Sequence, residues 1–199
     1  MSSLKKLTKE KVHNRNIDVS LYQVDEDHLL AEGQLIDDRA KDYRLLSGEE
    51  RPPGKLHFLI IRLLIEIPSL MIEKVEIELE VVPREECRVI EKEFQVLEGL
   101  AIAPGFTGQV KKLLGGVKGC THLIHLITVM APAILQGFWS YYAQKPLAIR
   151  KEELKKTKNN KMILMAKILK DTCYVWRENG PAYKNFKKLL DKVRGEGKI

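Results

Sequence analysis

The sequence has few cysteines and none of the common catalytic signatures. It holds three cysteines in 199 residues, and no two of them form a C-x-x-C pair. An odd number of widely spaced cysteines excludes a small secreted scaffold held together by disulfides. The motifs of dinucleotide-binding, P-loop, zinc-protease and serine-hydrolase sites are missing as well, so none of these enzyme classes is supported.

Charge is distributed unevenly along the chain. The net charge is +7, yet residues 145–199 hold 16 of the 34 Lys and Arg residues and only 6 of the 27 Asp and Glu residues. A basic segment of this kind can bind nucleic acid or a membrane surface. Lysine outnumbers arginine there, and residues 150–170 contain no aromatic side chain, which weakens the prediction of nucleic-acid binding. A solvated lysine-rich face is favoured over either partner.

The composition divides the chain into three parts. Residues 1–11 are polar and are predicted to form a flexible N-terminus. Residues 12–144 carry the patterns of an α+β core domain, and residues 145–199 are predicted to form a basic helical extension packed on that core. Because the polar start lacks the apolar run of an export signal, we expect a cytoplasmic protein with reduced thiols.

The first half of the core domain predicts an antiparallel sheet of about four strands. The clearest signal is Lys74–Val81, where apolar residues alternate with charged ones, as in a strand with one face exposed to water. The other predicted strands are Ile17–Val24, His28–Ile36 and Leu56–Ile67. A polar loop is predicted over Asp37–Gly54, with Asp37 and Asp38 as solvated loop charges.

After Pro83 the pattern becomes helical. The predicted helices are 85–98, 109–114, 121–142, 152–170 and 181–193. Strands followed by helices predict an α+β fold, in which an N-terminal antiparallel sheet packs on C-terminal helices, one of them long and apolar.

The long helix contains a run of twenty mostly apolar residues, 123–142. This run includes His125, Gln136 and Ser140, which are unfavourable at the centre of an isolated membrane span. We therefore expect a buried central helix, or an interface with a protein partner or with a second copy of the chain.

The start of that helix carries the most chemistry, in the sequence G-C-T-H-L-I-H over residues 119–125. Cys120 follows glycines and precedes the helix, where the helix dipole and unpaired amides favour a thiolate. His122 and His125 are three residues apart and can project from one side of the helix. Thiolate and imidazole together suit zinc or iron.

Two further cysteines extend this set to a metal site. Cys87 opens the helix after the last strand, and Cys173 lies in a short segment near the C-terminus. With Cys120 and His122 they make a Cys₃His set, which predicts a zinc ion or an iron–sulfur cluster in a metal-binding accessory protein. His57 and His125 are expected to be outer partners or alternative ligands.

Two other functions fit the same residues. In the first, Cys120 is the nucleophile of an acyl- or thioester-transfer enzyme, with His122 or His125 as its base. In the second, the cysteines are packed in the core and the protein is a structural module that associates through helix 123–142.

Several short segments are also shared with a known family. They are His13-Asn14-Arg15, Gly33–Asp37, His57, Val82-Pro83 with Cys87, Leu97–Leu100, Gly119–Leu123, Gln136 and Asp171–Cys173. Over roughly residues 12–186 they resemble a bacterial family described only as domain of unknown function 2889. The G-C-T-H-L piece is the specific one, and the family usually has a glutamate where this chain has His125. The resemblance implies no activity.

The order of parts is similar to that of NifU/IscU-type iron–sulfur scaffold proteins. Those proteins have an antiparallel sheet, a cysteine just before a helix, and a cysteine opening the last long helix. Cys87 and Cys120 match these two positions, whereas the early cysteine between strands is missing and Cys173 is additional. The resemblance is one of topology, and a likeness of fold alone does not establish function.

Overall fold

Four long strands form an antiparallel sheet at the centre of the molecule. The computed structural model describes residues 3–45, 48–146 and 169–195. The strands of the main sheet, in spatial order, are β1 (His13–Gln23), β2 (His28–Arg39), β5 (Gly54–Glu66) and β6 (Met71–Val81). A separate two-stranded ribbon of β3 (Tyr43–Arg44) and β4 (Glu50–Arg51) lies in the connection between β2 and β5.

The helices follow the sheet in the chain. They are a 3₁₀ helix over Glu85–Leu97, α1 (Phe106–Leu114), a 3₁₀ turn over Gly116–Lys118, α2 (Thr121–Gln144) and α3 (Pro181–Gly195). A further 3₁₀ turn, Leu4–Leu7, precedes the sheet. The predicted helix 152–170 and much of the basic extension lie outside the described residues.

The predicted α+β class is confirmed, since an N-terminal four-stranded antiparallel sheet precedes helices of which one is long and apolar. The prediction of a loop beginning at Asp37 is wrong, because β2 continues through Asp37 to Arg39. Asp37 is not a solvated charge either: only 1% of it is exposed. The strand can continue because Arg15 on β1 neutralises the carboxylate. The helix predicted after Pro83 is wound as a 3₁₀ helix, with Phe94 and Leu97 buried.

The two faces of the sheet differ in polarity. On the covered face, alternate residues of the central strands are fully buried, among them Leu29, Ala31, Leu35, Leu59, Ile61, Leu63 and Ile65. Each large aliphatic side chain buried in this way contributes about 1.5–3 kcal/mol to folding. On the other face, Arg62 donates hydrogen bonds to Glu32 (2.6 Å) and Glu78 (2.7 Å), which joins three strands through paired charges.

Helix α2 covers the apolar face of the sheet at close range. Its buried residues recur at intervals of three and four: Leu123, Leu126, Ile127, Met130, Ile134 and Phe138. Gly33 on β2 permits the approach, because a Cβ atom there would lie 2.8 Å from Met130 Cγ and 3.2 Å from Leu126 Cδ1. The absence of a side chain at Gly33 thus sets how closely helix and sheet pack.

The outward side of α2 is more polar than its composition suggests. By length and composition α2 is able to cross a membrane, but the core helix of a soluble protein satisfies the same criterion. Of the most apolar 18-residue window of α2, 39% is buried inside the protein. Its exposed positions include His125, Pro132, Gln136 and Ser140. A helix with one apolar stripe and one polar stripe typically packs against the protein on its apolar side only.

We expect Gly33→Val to destabilise the fold by about 1–3 kcal/mol, because the added atoms overpack the contact with Met130. The measurement is the free energy of unfolding in urea. Gly108→Ala is the matched control, since Gly108 lies in α1 with no atom within 4 Å of an added Cβ. Equal stability of Gly33→Val and the unaltered protein would show that α2 does not approach the sheet at this point.

Candidate functional site

A buried carboxylate lies at one end of the apolar sheet face. Asp37 is in phase with the buried Leu35, so the strand alternation points it under α2. The strand register places Arg15 of β1 and His57 of β5 directly opposite Asp37. Immediately after Asp37 the pairing of β2 with β5 shifts, as it does at a β-bulge. Three polar residues therefore form a row across three strands where the apolar face ends.

Asp37 is held by hydrogen bonds from both neighbouring strands. Arg15 donates two of them, from Nε to Oδ1 (2.6 Å) and from Nη2 to Oδ2 (2.7 Å). This bidentate geometry is the strong form of the arginine–carboxylate pair. His57 Nδ1 lies 3.0 Å from Oδ2. Because an ionised carboxylate only accepts hydrogen bonds, the neutral His57 ring carries its proton on Nδ1 and leaves Nε2 free.

The first turn of α2 adds imidazoles and a thiol to this row. The His122 ring lies over the His57 ring, with centroids 3.9 Å apart, and His122 Nε2 is 3.9 Å from Asp37 Oδ2. The Cys120 Sγ atom, just before the helix, is 3.8 Å from His122 Nδ1. One turn further on, Nδ1 of the exposed His125 is 3.2 Å from Arg15 Nη1.

The side chains of His57, Cys120 and His122 line a cavity of about 360 Å³. Its lining brings together three of the four predicted ligands, Cys87, Cys120 and His122, together with His57. Glu86, the glycine and threonine at the start of α2, and apolar residues around Leu79 and Val89 complete the wall.

The other two predicted residues lie elsewhere. Cys173 is exposed and does not line this cavity. Its neighbour Thr172 instead borders a different cavity together with Pro132, about three turns along α2 from Cys120. His125 contacts the outer side of Arg15 and does not line the cavity either.

Burial and charge keep both cavity histidines neutral. Burial is the main cause that lowers the pKa of His57, although Asp37 opposes it. Burial also lowers the pKa of His122, and the positive charges of Arg15 and of His57, when His57 is protonated, act in the same direction. Burial alone would raise the pKa of Asp37, but the hydrogen bonds and charge of Arg15, aided by His57, keep that pKa below its ordinary value. At neutral pH the site therefore combines an ionised carboxylate with two uncharged imidazoles.

Asp37 and Arg15 were not predicted as site residues, and the strand alternation is the signal that could have identified them. Arg15 is in phase with Ile17 and Val19, and Asp37 is in phase with Leu35. Polar residues in phase with an apolar stripe point to the covered face of the sheet. Asp37 is buried there, whereas the Arg15 side chain stays 31% exposed at the edge strand. A buried carboxylate that is paired with a cation is a candidate functional group.

This arrangement can bind a metal ion or move a proton. One ligand atom each from Asp37, His57 and His122 lies within 4.8 Å of the other two. Neutral imidazoles supply the lone pairs that a metal requires, and a histidine oriented by a carboxylate can also act as a base.

We expect Asp37→Asn to destabilise the protein by about 2–4 kcal/mol. The new amide presents N–H groups to Arg15 or to His57, so that a buried donor faces another donor. The measurement is urea unfolding, with Asp38→Asn as the control because its side chain is partly exposed. A loss below about 0.5 kcal/mol in Asp37→Asn would contradict the buried ion pair.

The site also predicts how stability depends on pH. Since the folded-state pKa values of His57 and His122 lie below the ordinary 6.5, the unfolded chain takes up protons first as the pH falls. The free energy of unfolding should therefore decrease as the pH falls below about 6.5, and the measurement is urea unfolding between pH 7.5 and 5 with a chelator present.

His57→Gln should make this pH dependence shallower. His28 is the control of opposite sign, because its hydrogen bond with Asp25 raises its pKa. The stability that His28 contributes is present below pH 6.5 and is lost as the pH rises through its folded pKa, so His28→Gln should make the acid loss steeper. An unchanged slope in His57→Gln would contradict the burial of a neutral imidazole.

Comparison with known proteins identifies a family. No curated protein and no solved structure matches the chain. A family model described as "Protein of unknown function (DUF2889)" matches residues 13–136. The matched span includes Arg15, Asp37, His57, Cys120 and His122, and it ends before Cys173. Because the match covers more than half of the sequence, this chain belongs to the DUF2889 family.

Proposed function

We propose that this protein is an accessory protein that holds a transition-metal ion in the cavity between β5 and the start of α2. The observation that carries the proposal is the approach of Asp37, His57 and His122 to within 4.8 Å of one another, beside two cysteines in the same cavity. Carboxylate, imidazole and thiolate groups are the zinc ligands of proteins, and they also suit iron.

His57 would be a direct ligand, and Asp37 would be its outer partner. The Nδ1–H group of His57 points at Asp37, which leaves Nε2 free for the metal. Metal-binding histidines commonly donate their other N–H to a carboxylate in this way, which fixes the ring and increases its basicity. Arg15 already occupies both oxygens of Asp37, which favours an orienting role over direct coordination.

Cys120 and His122 would be the second part of the ligand set. Their Sγ and Nδ1 atoms are 3.8 Å apart. Two ligands of one tetrahedral zinc ion, at Zn–S about 2.3 Å and Zn–N about 2.0–2.1 Å, are separated by about 3.6 Å. Cys87 lines the same cavity and would be the fourth group. His57 thus takes the place of the predicted Cys173, which makes the set Cys₂His₂.

The charge state of the site agrees with this role. The lowered pKa values of His57 and His122 mean that no proton must be displaced from either ring at neutral pH. The thiolates would neutralise the charge of the ion. In a reducing compartment such as the cytoplasm these thiols stay available, and an iron–sulfur cluster held as in the NifU/IscU-type scaffolds is the second form of cargo that they suit.

Metal analysis of protein purified without air tests the proposal. We expect about one zinc or iron per chain, and Cys120→Ser and His57→Gln should each weaken metal affinity by at least about tenfold in a chelator competition. Cys173→Ser is the matched control and should keep its metal, because Cys173 is exposed and lies outside the cavity. Circular dichroism checks that each variant is folded. Metal-free protein, or metal retained in Cys120→Ser, would contradict the proposal.

A second candidate is a cysteine-nucleophile enzyme, and the same pair of atoms favours it. An uncharged His122 3.8 Å from Cys120 Sγ is suited to accept the thiol proton. Alkylation rates separate the two functions. A single fast-reacting Cys120 in metal-free protein supports the nucleophile, whereas a thiol that reacts only after chelator treatment supports the metal site. Three slowly reacting thiols without metal would leave the packed-cysteine module.

A further inference from the structure

The two edges of the four-stranded sheet differ in how they are covered. Along β6, the chain that follows the 3₁₀ helix bonds to the edge. The Ile72 amide donates to the Leu100 carbonyl (2.9 Å), and the Val75 amide donates to Glu98 Oε1 (3.1 Å). At the other edge, β1 pairs only with β2 in the part of the chain that the structure describes. One edge is therefore covered, and the other is open among the described residues.

The register shows which groups of β1 face the open edge. The Val24 amide donates to the His28 carbonyl (3.1 Å), and at the other end the Ala40 amide donates to the Val12 carbonyl (3.5 Å). Between these bonds β1 and β2 pair without a shift in register. Because bonded and non-bonded pairs alternate in an antiparallel ladder, even-numbered residues of β1 bond to β2. The residues that direct N–H and C=O groups to the open edge are His13, Arg15, Ile17, Val19, Leu21 and Gln23.

β1 lacks the features that usually keep an edge strand from pairing. It is eleven residues long and contains no proline and no lysine. Natural edge strands are commonly short, or they are interrupted by such residues or by bulges. Ile17, Val19 and Leu21 pack on the core but remain partly exposed. The open edge thus offers both unpaired backbone groups and apolar side chains to another strand.

Helix α2 extends this apolar edge. His125 contacts Arg15, and a Cβ atom on Gly137 would lie 3.1 Å from Leu21 Cγ, so this side of α2 follows β1. Val129 and Ala133 lie between these two contacts at intervals of four residues, and both are partly exposed. An apolar strip of α2 therefore runs beside the open edge.

We propose that the β1 edge binds β1 of a second copy of this chain in antiparallel orientation, which joins two four-stranded sheets into one of eight strands. With the twofold axis at Val19, that residue faces its own copy, and Ile17 faces Leu21 of the second copy. On the other face of the sheet, Asp18 faces Ser20 of the second copy, whose hydroxyl can donate to the carboxylate. An axis at Asp18 would instead place two carboxylates opposite each other, which is unfavourable.

A second copy is the partner that this edge fits, because the strand is complementary to itself in this register. Its three apolar residues meet each other at the centre of the seam, and the flanking polar residues meet uncharged ones. Arg15 faces Gln23 of the second copy, so the dimer would cover part of the 31% of the Arg15 side chain that is exposed in one chain. β1 does not line the cavity at the start of α2, and the inference therefore does not depend on a metal.

Sedimentation of the full chain at about 10 µM tests the inference. We expect a mass of twice the 22.8 kDa of one chain. Val19→Pro removes an outward N–H group without removing a bond to β2, and it should raise the dissociation constant of the dimer at least about tenfold. Ile77→Pro is the matched control and should remain dimeric. Ile77 is also a partly buried aliphatic residue, and its N–H group faces the opposite edge, as that of Val75 does.

A chain that stays monomeric at about 100 µM, or equal weakening of the dimer by both proline variants, would overturn the inference. Amide exchange in the unaltered chain gives a second readout that needs no variant. The amides of Ile17, Val19 and Leu21 should exchange at least about tenfold faster after dilution, whereas those of Asp18 and Ser20 should change little. Protection of the odd-numbered amides that is independent of concentration would show that a segment of the same chain covers the edge, and it would overturn the dimer.

Discussion

Asp37 carries its charge where only 1% of the residue is exposed to solvent, and the Arg15 guanidinium stabilises the charge there. Burial of an unpaired carboxylate would be very unfavourable, so the two-pronged hydrogen bond from the neighbouring strand is a condition for the rest of the site. It keeps Asp37 ionised, and the ionised carboxylate determines which nitrogen of His57 carries the proton. Arg15 on β1 therefore orients Asp37 on β2, and Asp37 orients His57 on β5. His122 joins them from α2, which covers the sheet.

The sequence predicts the architecture well because alternation and helical periodicity are local patterns. The wet face of β6 and the buried stripe of α2 can both be read from a window of ten or twenty residues. The part of the site at the start of α2 is also local, since Cys120 and His122 are two residues apart. Cys87 reaches the same cavity because it lies in the first turn of the 3₁₀ helix that packs beside β6, whereas Cys120 directly precedes α2.

The pairing of Arg15 with Asp37 could not be predicted, because it depends on strand register. Arg15 and Asp37 are 22 residues apart, and only the pairing of β1 with β2 shows that they face each other. A charged residue beside a predicted turn is usually solvated, so the sequence alone predicts that Asp37 lies in a loop. Cys173 was predicted to be a ligand because a thiol is chemically suitable for a metal. Its segment, however, packs near the middle of α2 rather than at its start.

The contact between Arg15 and His125 joins residues 110 positions apart in the chain. Contacts of such long range form only after the intervening chain has closed into a loop, and the entropy of that closure must be overcome first. A growing chain that has not yet reached residue 121 already contains Asp37, Arg15 and His57, but it lacks the helix that covers them. The polar row therefore stays uncovered until α2 has been synthesised and has packed on the sheet.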